Sequence, residues 1–101
     1  MYILILEDTP DHLAPVVAAH ASLACYLQFK EQAAMQNWVK GIFKKVVCKV
    51  NQKEFEMAKL LENGLVLTES SLGNQEVAIA FCPRENFPKN FRFFKMWKPS
   101  C

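Results

Sequence analysis

Residues 13–29, LAPVVAAHASLACYLQF, decide the fold. The stretch follows an apolar run and is rich in alanine, which allows backbones to pack closely. Pro15 suits the first turn of a helix, because a residue there needs no backbone N–H donor. A central helix over 13–29 is therefore predicted. One imidazole, His20, lies in its middle and is interpreted either as a packed core residue or as a group that does chemistry.

Apolar runs and turn signals alternate along the rest of the chain. Strands are predicted at residues 2–6, 43–50, 65–68 and 77–81, where apolar or β-branched residues are bounded by turn clusters. Shorter helices are predicted at residues 31–39 and from residue 51 onward. Residues 91–97 fit either an edge strand or a short helical turn, and both interpretations stay open.

Local signals mark the ends of several of these elements. Asn51 and Glu54 have the spacing of a capping box, in which the two side chains accept from two otherwise free backbone N–H donors at a helix start. Asn63-Gly64 ends that helix, and Gly64 is expected in the left-handed conformation. Gly73-Asn74 is the expected tip of a hairpin.

The order strand, helix, short helix, strand, helix, strand, strand predicts an α/β fold. The chain has 101 residues, the size of one domain, and contains no repeats or linkers. We therefore expect a compact single domain over residues 1–101, with a four-stranded mixed β-sheet covered by two main helices.

The charges are unevenly spread although the net charge is only +2. No lysine or arginine precedes Lys30, whereas residues 40–53 carry five lysines. Such asymmetry predicts either one basic face or an ordinary solvated surface. The tail FRFFKMWKPSC interleaves aromatic and basic residues, which is typical of RNA binding but also of a terminal segment that docks on a sheet or contacts another subunit.

The four cysteines are far apart and form no C-x-x-C pair. Buried free thiols are expected rather than disulfides or zinc ligands. No apolar run is long enough to cross a membrane, and the first residues lack the pattern of a secretory signal. These features predict a cytoplasmic protein without a membrane partner.

Candidate chemical groups cluster in the loop after the first strand. Asp8, Asp11 and His12 could contact a substrate or metal there, because strand-to-helix loops present binding groups in α/β proteins; an ordinary polar loop is the alternative. The chain lacks H-x-x-x-H, G-x-S-x-G and glycine-rich phosphate-binding patterns. No metal and no cofactor are therefore predicted.

Several strings, in this order, resemble those of the type 2 peptidyl-tRNA hydrolases and their domain-containing relatives. His20-Ala21 matches the H-A pair of the family's first helix, and residues 44–50, KKVVCKV, are similar to its second strand. VAIAFCPR followed by FRFFK is similar to its last strand and the segment after it. The resemblance implies a peptidyl-tRNA hydrolase II-like domain, often a homodimer, whose active members cleave the ester between peptide and tRNA without a metal.

The chain departs from this family at the catalytic positions. Leu13 stands where the loop lysine is expected, Val17 replaces the glutamine and Val77 the threonine. LTESSLGNQE replaces the acidic D-A-G-R-T-Q motif. Loss of the cation and carboxylate removes oxyanion stabilisation and orientation of the attacking water.

The leading hypothesis is a diverged, non-catalytic binding domain that contacts tRNA or another RNA through Lys44, Lys45 and Lys49. The alternative is an active ester hydrolase with a relocated site formed by Asp11, His12 and His20, with Asp8 nearby. A third hypothesis is a small-molecule binder with a pocket beside the first helix. Whether the chain is an enzyme stays open at this point.

Overall fold

A computed structural model describes residues 1–99. The strands are β1 (Tyr2–Leu6), β2 (Val46–Val50), β3 (Gly64–Glu69), β4 (Gln75–Phe81) and β5 (Lys95–Met96). The helices are α1 (Ala14–Phe29), α2 (Ala33–Lys40) and α3 (Gln52–Ala58), and two short 3₁₀ helices span Ser70–Leu72 and Lys89–Phe93. This order confirms the α/β class.

The strands form one mixed sheet in the order β3-β4-β1-β2-β5. β1 and β2 are parallel, and the other neighbours are antiparallel. The sheet has five strands where four were predicted, because the tail adds β5 at the edge of β2. Residues 91–97 contain both structures that the sequence allowed, a 3₁₀ turn ending at Phe93 followed by a two-residue strand.

Helix α1 covers one face of the sheet and packs against β1, β3 and β4. Its buried side chains are small or medium-sized, and Ala21 and Cys25 are fully buried. Ile3 and Ile5 of β1 meet this helix, and Met35 of α2 completes the cluster. Ala14 and Ala21 are the alanines of α1 that are buried in this cluster.

The opposite face of the sheet carries an aromatic core under α3. Phe55 of α3 is fully buried, and the rings of Phe81 and Phe91 meet edge to face with centroids 5.2 Å apart. The predicted capping box is confirmed. The Asn51 side chain accepts from the Glu54 N–H at 2.8 Å, and the Glu54 carboxylate accepts from the Asn51 N–H at 2.9 Å.

The left-handed residue before β3 is Asn63, with φ of 62°, and not Gly64 as the sequence predicted. Gly64 opens β3 instead and is required by a close contact across the sheet. A Cβ at this position would lie 2.8 Å from Cε1 of Phe81. The predicted hairpin tip does contain positive φ values, 68° at Gly73 and 61° at Asn74.

The cysteines at 25, 48 and 82 are free and buried; Cys101 lies outside the described residues. Burial raises the pKa of Cys25 to about 12 and that of Cys48 to about 11, because the thiolate loses hydration. Within residues 1–99 no helix is long and apolar enough to cross a membrane, and no three His, Cys, Asp or Glu side chains are placed to hold a metal ion.

Candidate functional site

The half of the sheet formed by β2 and β5 carries lysines and a tryptophan on the α1 side. Val47 and Trp97 belong to the core cluster on that side, and strand residues two apart share a face. Lys45 and Lys49 therefore share this face with Val47, and Lys95 shares it with Trp97. Helix α1 packs over the other three strands and leaves these lysines at its margin.

Two of these lysines lie over aromatic rings. The Nζ of Lys49 is 4.6 Å from the centroid of Trp97 and donates to the carbonyl of Lys98 at 3.0 Å. The Nζ of Lys45 is 3.3 Å from the centroid of Phe43 and 5.0 Å from that of Trp38. Cation–π contacts of this kind hold an ammonium group in place without neutralising its charge.

Lys49 and Lys95 are direct partners across the antiparallel β2–β5 pair. Like charges in directly opposite positions destabilise a sheet. Within residues 1–99 the salt bridges join Lys59 to Glu56 and Glu76, so no carboxylate neutralises the lysines of this face. We call Lys45, Lys49, Lys95 and Trp97 the basic-aromatic surface.

Two of the three lysines predicted to bind nucleic acid, Lys45 and Lys49, lie on this surface. Lys44 precedes β2, and its carbonyl accepts from the Met1 amino group at 2.9 Å and from Nε1 of Trp38 at 2.7 Å. Lys44 is a lining residue of a separate groove. Lys95 was absent from the predicted set, although the aromatic and basic alternation of the tail is the signal that points to it.

His20 is exposed on the surface of α1, so its interpretation as a core residue is wrong. Hydrogen bonds from Ser71 are the main cause of a lowered pKa of Glu69, at the end of β3, and His20 makes a smaller electrostatic contribution. Asp11 and His12 are also exposed, in the loop before α1. His20 lies six residues after the first residue of α1. The rise of the helix therefore places it about 9 Å along the axis from the start of α1, where the loop ends.

Ser71 and Glu69 form a capping interaction rather than an activated nucleophile. The Ser71 hydroxyl donates to Oε2 of Glu69, and the Ser71 N–H donates to the same oxygen at 3.0 Å. In serine hydrolases the hydroxyl donates to an imidazole, which then takes its proton. Here the carboxylate holds the start of the 3₁₀ helix at Ser70–Leu72.

A polar cavity of about 420 Å³ lies at the carboxyl end of β1, beside the start of α3. Asp8, Thr9, Gln52 and Glu76 are among its lining residues. The buried Thr9 hydroxyl makes no hydrogen bond within the described residues. Of the predicted loop cluster, only Asp8 contributes to this cavity; Asp11, His12 and His20 are not among its lining residues.

A larger and mostly apolar groove of about 560 Å³ lies between α1 and β2. Ala18, Ala19 and Ser22 of α1 form one side, and Val47 of β2 lies opposite. Lys45 lies at this groove and also belongs to the basic-aromatic surface. We call this cavity the α1–β2 groove.

The chain matches no protein-family model, and no curated protein or solved structure is significantly similar to it. The resemblance to type 2 peptidyl-tRNA hydrolases therefore stays a prediction.

Proposed function

We propose that this chain is a diverged type 2 peptidyl-tRNA hydrolase-like domain that binds RNA, with tRNA as the ligand, rather than cleaving it. The observation that supports this proposal is the lysine pair Lys49 and Lys95, placed opposite each other without a neutralising carboxylate in the described residues. A pair of like charges that destabilises the sheet is explained if an anion binds there, because the anion neutralises the repulsion.

The chemistry of the basic-aromatic surface suits a nucleic acid. Lys45 directly precedes β2 and Lys49 lies within it, four residues later, which is about 13 Å in an extended chain. Lysines at this spacing can meet several phosphates, because a nucleic-acid duplex carries a dense row of negative charges. Trp97 lies beside them and is half-buried, and the part of its ring that Lys49 and the core leave uncovered can contact an unpaired base.

Binding to unmodified tRNA, measured by fluorescence anisotropy at several salt concentrations, tests the proposal. If three lysines each meet a phosphate, the slope of log K against log salt is expected to be about −2.7 on a duplex. Lys49→Gln should make this slope shallower by about 0.9. Lys53→Gln, which removes an exposed charge from α3, serves as the matched control and should bind like the wild type.

Absent binding, or binding whose slope is the same in Lys49→Gln and wild type, would contradict the RNA proposal. Lys44→Gln tests the difference between the two sets of lysines. Lys44 belongs to the set predicted from the sequence but not to the basic-aromatic surface. Lys44 lies at a different groove, so the affinity of Lys44→Gln for tRNA should change less than that of Lys49→Gln.

The alternative proposal is an ester hydrolase in which His20 acts as a general base, with a site that also draws on Asp11 and His12 of the loop before α1. The observation that favours it is the exposed position of His20 on α1, where its imidazole is accessible to a substrate. Turnover of peptidyl-tRNA should then fall in His20→Ala, and a comparison with His12→Ala shows which imidazole acts. A wild-type protein without turnover rules this alternative out.

We also propose that the chain forms a homodimer. Its support is an apolar groove of about 530 Å³ beside α3, where Met57 and Phe93 are 61% and 79% exposed. Phe93→Ser should lower the mass measured by light scattering, whereas Phe43→Ser, an exposed phenylalanine elsewhere, should not. A wild-type mass equal to one chain would contradict the dimer.

The proposed setting is the cytoplasm, where tRNA is found. The free thiols of Cys25, Cys48 and Cys82 support it, because disulfides form mainly in oxidising compartments.

A further inference from the structure

The α1–β2 groove has the size and composition of a small-molecule site. Its volume of about 560 Å³ falls within the range typical of such sites, and they are lined mainly by apolar and aromatic side chains. The groove exists because α1 presents small residues here. Ala18, Ala19 and Ser22 leave space that larger side chains would fill.

Apolar side chains are exposed around this groove. Leu23 of α1 is 61% exposed and Phe43 is 50% exposed. Tyr26 and Trp38 add aromatic surface to the lining. A ligand with an apolar body would remove this surface from water, which is favourable in proportion to the apolar area buried.

The charged side chain in the lining of the groove indicates which polar group the ligand should carry. Lys45 is the one charged side chain among its lining residues, and it has no salt bridge within residues 1–99. The Nζ donates to the Phe43 carbonyl at 3.2 Å and lies over the Phe43 ring. Two hydroxyls, those of Ser22 and Tyr26, belong to the same lining and can donate to an acceptor.

We propose that the α1–β2 groove binds an apolar monocarboxylate, with its hydrocarbon body against α1 and Val47 and its carboxylate at Lys45. Carboxylate binding would be a function additional to the proposed RNA binding, and the two sites share Lys45. A carboxylate matches the single cation, because a charge-assisted hydrogen bond is stronger than one between neutral groups.

The test measures binding of decanoate and decanol by calorimetry, below the concentration at which decanoate forms micelles. Decanoate should bind in a saturable manner and up to about fivefold more tightly than decanol, because an ion pair with an exposed lysine is screened by water. Lys45→Met should bring the decanoate affinity down to that of decanol. Lys53→Met, which removes an exposed lysine outside this groove, is the control and should bind like the wild type.

Ser22→Phe should abolish decanoate binding because the ring occupies the groove. Gln28→Phe, an exposed position of α1 outside the groove, should leave it unchanged, and circular dichroism checks that each variant is folded. If Ser22→Phe does not fold, the exposed Lys45→Met decides the question alone.

Equal affinities for decanoate and decanol overturn the proposal, as does unchanged decanoate binding in Lys45→Met. Absent binding of both probes also overturns it. If Ser22→Phe then turns a dimer into a monomer, a second copy of the chain occupies the groove instead. Lys49→Gln separates the two functions, because it should weaken tRNA binding and leave decanoate binding intact.

Discussion

Replacement of Lys95 by glutamate should make the protein more stable and at the same time impair RNA binding. Lys95 faces Lys49 directly across the β2–β5 pair, and both side chains lie on the basic-aromatic surface. Lysine and glutamate have similar strand propensities, so the main change is the sign of one charge. Lys95→Glu turns a repulsive cross-strand pair into an attractive one.

The size of the effect follows from the exposure of the pair. Lys95 is exposed and Lys49 is half-buried, so each contribution is small. Removing the repulsion and adding an attraction should together raise the free energy of unfolding by about 0.5–1 kcal/mol. For a domain of this size, that corresponds to an increase in Tm of about 2–8 °C.

Thermal unfolding followed by circular dichroism measures the stability, and fluorescence anisotropy with tRNA measures binding in the same buffer. Lys95→Gln should show about half of the stabilisation, because it removes the repulsion without adding an attraction. In 1 M salt, where charges are screened beyond about 3 Å, the stability difference between Lys95→Glu and wild type should shrink.

The essential expectation is that Lys95→Glu raises the stability of the protein and lowers its affinity for tRNA. A Lys95→Glu variant that is less stable than the wild type would refute the proposed repulsion. A variant that keeps the wild-type affinity for tRNA and its salt dependence would refute the role of this surface in binding.

Further predictions concern the core and the helix cap. Gly64→Ala should lower the free energy of unfolding by about 1–3 kcal/mol, because its Cβ would lie 2.8 Å from Cε1 of Phe81; chemical denaturation measures this, and an unchanged midpoint would contradict the close contact. Asn51→Ala should lower the free energy of unfolding by about 1 kcal/mol through loss of the capping box. On heating, its helical circular dichroism signal should be lost at a lower temperature than that of the wild type. The free energy of unfolding should also fall as pH rises above 9.0, because Cys25 and Cys48 keep their protons in the folded state up to about pH 12 and 11 but lose them when unfolded. Each thiol lowers the free energy of unfolding by up to about 1.4 kcal/mol per pH unit between pH 9.0 and its pKa in the folded state. Urea titrations at pH 8, 9 and 10 check whether the unfolding midpoint decreases.

The sequence alone predicted those features that depend on neighbours in the chain. The capping box at Asn51 and the hairpin tip at Gly73 need only local hydrogen bonds and local backbone conformation, and both are present in the structure. The order of strands and helices was also predicted, because apolar runs, alanine content and turn residues are local signals.

Local signals located the turn before β3 but assigned the wrong residue to it. Asn63 adopts the left-handed conformation, since asparagine tolerates it, while Gly64 is needed for the ring of Phe81. That ring comes from a strand 17 residues later in the chain and reaches Gly64 only through the β3–β4 register.

The orientation of His20 could not be predicted because α1 has apolar residues around most of its circumference. Exposed Val16, Leu23 and Leu27 are as apolar as the side chains that the helix buries, so the pattern does not identify the inner face. Packing against β1, β3 and β4 decides that His20 is outside and Ala21 inside.

The basic-aromatic surface and the α1–β2 groove are products of the tertiary structure. Lys49 and Lys95 are far apart in the chain, and they pair because the tail returns to the edge of β2. There the backbone N–H of Trp97 donates to the Val47 carbonyl at 3.0 Å. The sequence determined the elements and the charge of each segment, since these follow from residue type and local spacing. Only the strand register decided which charges meet, because backbone pairing brings together residues that no local pattern relates.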